Sequence, residues 1–584
     1  MMKNIYILTA FLLTFAFKAM HGQYVLKNID DVTWYINIPQ EDIYLHYNSA
    51  FMLTGETLHY KVYCKNANTK ELSNNSKIAY VKLVGQEGLV FEHKIRLTNG
   101  TGKGDFFVPP SIRSGNYKLI AYTRWMTNGS RDDFFQADLS IINPYANITF
   151  DENAVDIVTQ NVFQPKESDK LDLVLDADAY DKRQAVNISL IAKEGSAIGG
   201  VYSLSINKKE DFINDDGKLT TIAFQEALKD NRVSSTRKIG EIINLPEFKG
   251  EMLSGMVVDN QTGQPVSGQE VALSILSKEA YQDIVRTNEN GIFYFQLLNE
   301  YSTPKALIQV LNDEQSDFKL TINDASIREF SDLQFKEIKL HPKHKDAIIA
   351  RSIHNQIENG YANVKQDKII KREYGELFYG NPIRTYVLDD YKRFSTIAKT
   401  LEEVVDDAYH ERKGGKQRFI NVRERETDPY YEVDILPLIV VDGAAVQNHE
   451  SILYFDANKV ESISVLRDEY YYDKRVYQGV LMINTFDGDY YNNLQGEHIQ
   501  LIDLKSPQQD KDYFYQDYDL QSKSADRIPD YRTQLLWEPN ISLTGERLRI
   551  RFFTSDVRGT FEVSLEGFDK DGKPVSIKKY FKVE

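Results

Sequence analysis

From Pro437 to Phe486 short apolar runs alternate with polar breaks. Ile439-Val440-Val441 is a β-branched run closed by Asp442-Gly443, which predicts a buried strand entering a tight turn. Val460 to Leu466 alternates apolar and polar residues, the pattern of a half-buried strand, and Gly479 leads a third strand that runs to Thr485. The same period of two recurs from residue 24 to 145, in ETLHYKVYC, KIAYVKLVG, LVFEHKIRL, GNYKLIAYTRWM and FFQADLSII, with turns at Asn99-Gly100, Gly102 to Gly104 and Ser114-Gly115-Asn116. Strands at about 8–12-residue spacing with turn signals between them predict an antiparallel sandwich. A period near 3.6 appears in two places. Ala347 to Asn363 has few turn residues, and Ser395 to Tyr409 repeats Ile397, Leu401, Val404, Val405 and Ala408, with Ser395 placed to cap. Lys413 to Arg425 is basic and contains glycine, which predicts an exposed loop.

These patterns predict a mainly β chain: serial antiparallel β-sandwiches with one small α+β domain. The expected divisions are an export signal at 1–22, a first sandwich at 23–145, a second at 146–249, a third at 250–335, a helical connector at 336–369, the α+β domain at 370–490 and a C-terminal sandwich at 491–584. Residues 222 to 238 read as helical or loose. Asp571-Gly572 marks a hairpin in the last sandwich.

Composition narrows the function classes. The 584 residues carry 86 acidic against 70 basic side chains, a formal charge of −16, so nucleic-acid binding, which wants a basic face, is not expected. Lys3 followed by the apolar run Ile5 to Phe17 predicts a secretory signal cleaved near Gly22. No cysteine lies near that site, so a lipid anchor is not expected, and no later segment is long and apolar enough to span a membrane. Cys64 is the single cysteine and sits at strand spacing, which reads as a core position. An exported chain that must hold together without disulfides favours a bacterial periplasm.

Three stretches carry family resemblances. Pro437-Leu438, Asp442-Gly443, Val460-Glu461-Ser462-Ile463 and Gly479-Val480 to Thr485 resemble the plug domain of TonB-dependent outer-membrane receptors of the Bacteroidetes type. In place of the small Tyr-Gly segment of such plugs stands Glu469-Tyr470-Tyr471-Tyr472-Asp473-Lys474-Arg475. Ile43 to His46, Gly55-Glu56-Thr57, Gly104 to Pro109 and Ser114 to Thr123 resemble a macroglobulin-type MG2 domain, without the Cys-Gly-Glu-Gln thioester motif. EMLSGMVVDNQTGQPVSGQEVALSIL with the later Asn288-Glu289-Asn290-Gly291 turn resembles the carboxypeptidase-regulatory-like domain, which precedes the plug in many such receptors. The two sandwich resemblances imply an immunoglobulin- or macroglobulin-like fold for the former and a small prealbumin-like fold for the latter. Roughly a hundred residues follow Phe486, too few for a transmembrane barrel. The resemblance therefore implies a plug-like module acting on a barrel supplied by another chain, in a protein that is periplasmic and peripheral to the outer membrane.

No catalytic constellation emerges, and no cofactor or metal is expected. His341 and His344 are the one close histidine pair and lack further ligands at zinc spacing. Asp176, Asp178 and Asp181, and Asp569 and Asp571, read as turn carboxylates rather than a calcium loop. Tyrosine offers contact area with a polar tip and is favoured at interfaces. The expected partner contact is therefore Asp442 and Gly443 of the plug-like turn with Tyr470, Tyr471, Tyr472, Tyr513, Phe514 and Tyr515. The function implied is a non-enzymatic scaffold or accessory subunit of an outer-membrane complex for nutrient uptake, export or outer-membrane assembly. Two alternatives stand beside it: a secreted polysaccharide- or peptide-binding module using Trp125, Trp537 and exposed tyrosines, and a hydrolase whose site forms only in the fold.

Overall fold

The computed structural model describes residues 23–146, 150–153, 157–158, 168–210, 213–214, 218–228, 237–276, 281–297, 301, 303–311, 317–323, 330, 332–335, 338, 340–370, 380, 382, 384–413, 417–423, 435–472, 475–519 and 527–584. The expected export signal lies outside them. The chain forms two compact units, one of residues 251–327 and 373–506, the other of 23–250, 328–372 and 507–584. Both are dominated by antiparallel sheets, as the alternation predicts, and among the described residues no helix is long and apolar enough to cross a membrane.

In the larger unit the first sandwich sets Glu41–Tyr47, Thr57–Asn66 and Thr101–Phe107 against a five-stranded sheet in the order Phe51–Leu53, Phe135–Ile142, Gly115–Tyr122, Ile78–Gly85, Gly88–Arg96. Leu58, Tyr60, Val62 and Cys64 enter its core at every second position. The intervening face of the same strand is buried as well. Lys61 donates to Asn540 at 2.8 Å, Tyr63 to Ser203 at 2.8 Å and Lys65 to the Gly572 carbonyl at 2.9 Å. A strand that reads as half-buried is thus covered on both sides, with polar tips satisfied by the neighbouring sandwich.

That neighbour corrects the expected division. Leu171–Leu175 and Ala185–Ala192 share a sheet with Arg547–Phe553. Val201–Lys208 lies between Gly559–Phe568 and Gln534–Ser542, and the order is completed by Pro574–Val583 and Ala179–Tyr180. The strands placed at 146–249 and at 491–584 are therefore two halves of one sandwich with one core, from Leu173, Ile188 and Leu204 to Leu565 and Phe581. Neither half has enough strands to close two layers. The helix Thr221–Ala227, capped by Thr220, packs its Phe224 into the first core. The connector also belongs to this unit: the helix Lys345–Gly360 sets Arg351 against Glu56 in a fork of 2.6 and 2.9 Å.

In the smaller unit Ile292–Leu297, Glu251–Asp259 and Phe318–Ile322 face Tyr281–Arg286, Glu270–Ile275, Lys305–Val310 and Ile499–Asp503. The last strand comes from beyond the α+β segment, so this sandwich is closed by residues expected in the C-terminal one. The α+β body carries a mixed sheet in the order Arg384–Val387, Val460–Leu466, Val480–Thr485, Leu438–Val441, Ala444–Val446. Its helix Ile397–Glu403 is shorter than the periodicity predicts and is capped by Thr396 rather than Ser395, because Ala408 already opens a strand. The basic segment expected as a loop contains the strand Gln417–Val422, whose Ile420 and Val422 are buried in the core of this body.

Candidate docking site

The Asp442-Gly443 turn has φ values of 48° and 84°, both positive, the geometry in which a two-residue hairpin matches strand twist. It joins Leu438–Val441 to Ala444–Val446, while Leu438–Val441 also runs parallel to Val480–Thr485. The Asp442 carboxylate accepts the Thr485 backbone N–H at 2.7 Å, the Thr485 hydroxyl at 2.6 Å and the Tyr490 N–H at 3.0 Å. From the sandwich of the same unit, Gln282 donates to the Gly443 carbonyl at 3.4 Å and Gln309 to that of Ala445 at 2.8 Å. Asp442 and Gly443, expected in a partner contact, are both buried.

The tyrosine segment folds as a small hairpin of Tyr470–Tyr472 and Arg475–Tyr477. Tyr470 and Tyr477, with ring centroids 6.4 Å apart, cover the apolar face formed by Leu438, Val440, Val480 and Met482. Burial pushes the Tyr470 phenol up to about 12. Arg475 pairs with Glu270 of the sandwich. Tyr471 points outward, 65 % exposed, and its hydroxyl donates to Glu469. The side chain of Tyr472 lies outside the described residues. The bulky segment thus seals the sheet's second face, and of its described rings Tyr471 is the one left on the surface.

Tyr513, Phe514 and Tyr515 belong to the other unit. Tyr513 meets the His59 ring edge-on at 4.9 Å, and its hydroxyl donates to Asp105 at 3.3 Å. The Phe514 N–H donates to Asp367 at 2.9 Å. Tyr513 is an internal clamp; Tyr515 is exposed.

The sequence reading missed a second surface on the α+β body. Where Val460–Leu466 begins and Val480–Thr485 ends, Arg393 donates to the carbonyls of Ala457 and Val460 at 3.1 and 3.0 Å and stacks its guanidinium 5.2 Å from the Phe486 ring. Phe486 is 51 % exposed, and Val387 and Tyr391 are exposed beside the same sheet end, Val387 through its pairing with Ser462 and Tyr391 through its ring contact with Tyr386. Exposed apolar side chains around a fixed cation are features of a contact surface. Their signal in the sequence was weak, since each is a single apolar residue at the end of an element.

The remaining candidates have internal partners. His341 accepts the Lys343 N–H at 3.1 Å and caps a short 3-10 turn, and His344 is buried. Asp176 accepts from Tyr180 and Asn187, while Asp569 accepts the Asp571 and Lys573 N–H groups and pairs with Lys170. Among the described residues no group of three or more histidine, cysteine or acidic side chains is placed to hold a metal. Trp125 packs on Tyr35 with centroids 5.0 Å apart, and Trp537 stacks on His59 at 5.8 Å; both are buried and offer no platform to a sugar. A groove of about 620 Å³ beside the first sandwich, lined by Leu89, Ile112, Tyr117 and Leu340, has Glu87 and Arg113 as its charged residues, and they pair with each other.

No protein-family model matches the chain, and no curated protein does. Among solved structures it is similar to Escherichia coli α-2-macroglobulin activated by porcine elastase, at 8% identity and a TM-score of 0.23 over 93% of this chain and 44% of that one. The native conformation of the same protein matches at 8% identity and a TM-score of 0.23, over 94% and 40%. Salmonella α-2-macroglobulin reacted with methylamine matches at 10% identity and a TM-score of 0.22, over 93% and 39%. The chain spans less than half the length of these macroglobulins, and at such scores the likeness assigns it no family.

Proposed function

We propose that the chain is a non-enzymatic scaffold or accessory subunit of an outer-membrane complex, periplasmic and peripherally bound, whose α+β body docks on a separate β-barrel protein. The reading rests on the resemblance of the α+β segment to a receptor plug, of the first sandwich to an MG2 domain and of 250–335 to a carboxypeptidase-regulatory-like domain. The observation that carries it furthest is the construction of the α+β body. Its sheet is packed by helices on one face and by the tyrosine hairpin on the other, while Val387, Tyr391 and Phe486 stand exposed around Arg393 at one end. A sheet sealed on both faces with an apolar rim is suited to contact between proteins rather than to enclosing a substrate. The test is an affinity pull-down of the tagged chain from detergent-solubilised outer membranes. A stoichiometric β-barrel partner, lost from the Tyr391→Glu/Phe486→Glu variant, is the expected result. Recovery of the chain without a barrel, or undiminished recovery with the variant, rejects the docking.

A further inference from the structure

The strand Arg547–Phe553 reads Arg-Leu-Arg-Ile-Arg-Phe-Phe. Leu548, Ile550 and Phe552 turn into the core of the second sandwich, and Arg547, Arg549 and Arg551 line the opposite, exposed face. The strand is the edge of its sheet, bonded to Ala185–Ala192 on one side and to no strand on the other among the described residues. Side chains on one face of a strand repeat at about 6.8 Å, so three like charges stand in a column. Their cross-strand neighbours are Ile191, Ser189 and Asn187, none of them charged. Arg551 pairs with Asp519; among the described residues no carboxylate pairs with Arg547 or Arg549. Like charges in register repel, and opposite charges directly across a ladder stabilise it. On the Ala185–Ala192 side the positions that would hold those carboxylates are taken by neutral residues. On the other side no described strand pairs with it.

We propose that this edge accepts an extended acidic segment of a separate protein as an added strand, with carboxylates at alternate positions opposite Arg547 and Arg549. Backbone hydrogen bonds along the edge supply the affinity, and forked arginine–carboxylate pairs fix the register. The two-residue repeat is common to both strands, so a Glu-x-Glu segment presents each carboxylate to one arginine. The surface belongs to the second sandwich and is independent of the docking proposed for the α+β body.

The test is fluorescence anisotropy of the full-length chain with a labelled peptide, Thr-Glu-Val-Glu-Val-Glu-Thr. Saturable binding that weakens with salt is expected, with a loss of about tenfold or more in the Arg547→Glu/Arg549→Glu variant. The same peptide N-methylated at alternate amides keeps its charge and is expected not to bind. Equal thermal unfolding midpoints establish that the variant is folded, and Arg547→Gln/Arg549→Gln provides a second one. Parent-like affinity in both folded variants, or equal binding by the methylated peptide, overturns the proposal. So does tighter binding, through the same two arginines, to vesicles of equal parts phosphatidylcholine and phosphatidylglycerol, which would make the column a lipid-headgroup site.

Discussion

Thr485 donates both its backbone N–H and its hydroxyl to the carboxylate of Asp442, at 2.7 and 2.6 Å, across the end of two parallel strands. The pair holds the hairpin turn to the strand that ends beside it. Asp442→Ala leaves two backbone donors and a hydroxyl buried without an acceptor, which costs about 1–3 kcal/mol for each such group. The expected outcome is a lower denaturant midpoint and faster hydrogen exchange across Val480–Thr485. Asp442→Asn, which retains one acceptor and tolerates the positive φ, is expected to lose less. Equal exchange in the alanine variant would show that the turn holds itself.

Gly479 opens that same strand at a φ of 84°, and a Cβ there would lie 2.4 Å from the Leu466 carbonyl oxygen. The oxygen is backbone and cannot step aside without breaking the ladder with Val460–Leu466. Gly479→Ala is therefore expected to destabilise the α+β body by about 2 kcal/mol or more, read as a shift of its unfolding transition. An unchanged transition would mean that the strand re-registers.

The helix Lys345–Gly360 is tied to the first sandwich by Arg351 and Glu56, both about nine-tenths buried, with Asn355 donating to the same carboxylate at 3.0 Å. Removing one partner of a buried ion pair costs about 3–5 kcal/mol because the other charge is stranded. Arg351→Met is expected to destabilise on that scale, and Arg351→Met/Glu56→Gln to recover a substantial part of it. A double-mutant cycle on unfolding free energies checks this, and additive losses would disprove the coupling.

Acid sensitivity follows from buried imidazoles. Burial pushes His59, His93 and His449 down to about 4. Their folded values lie below the usual 6.5 or so, so the folded chain binds fewer protons than the unfolded one. The stability they confer is whole above about 6.5 and is lost as pH falls through that value towards about 4. Asp530, held down to about 2 chiefly by Arg532, loses its contribution at lower pH still, between the ordinary aspartate value and about 2. Thermal midpoints measured across this range should fall in two stages, and His59→Phe should flatten the first. A single stage below pH 4 would contradict the assignment.

Local pattern carried the elements well. The alternation in LHYKVYC and the run Ile439-Val440-Val441 mark strands, and the helix Lys345–Gly360 overlaps the stretch Ala347 to Asn363, which has few turn residues. Partnership was another matter. Nothing in the spacing of Val201–Lys208 distinguishes a partner nearby from Gly559–Phe568, which lies beyond both the third sandwich and the α+β body in the chain. At the candidate site the Asp-Gly turn was legible as a turn, but its burial was not, because the covering groups, Gln282 and Gln309, are polar residues of distant strands. The tyrosines were legible as aromatic and not as inward or outward, since that is decided by what lies across from each ring.

The second sandwich, with one half at 171–208 and the other at 534–583, also sets the order in which this chain can be made. A ribosome releases Val201–Lys208 long before the strands that flank it exist, so its edges stay open through the synthesis of more than half the polypeptide. The sandwich cannot form from the N-terminus onwards; it must await strands made after everything between its halves. A nascent chain of this design has reason to be held unfolded by a chaperone. A premature stop between residues 208 and 534 would discard the partners of strands already made, leaving a fragment that exposes sheet edges rather than a shorter version of the protein.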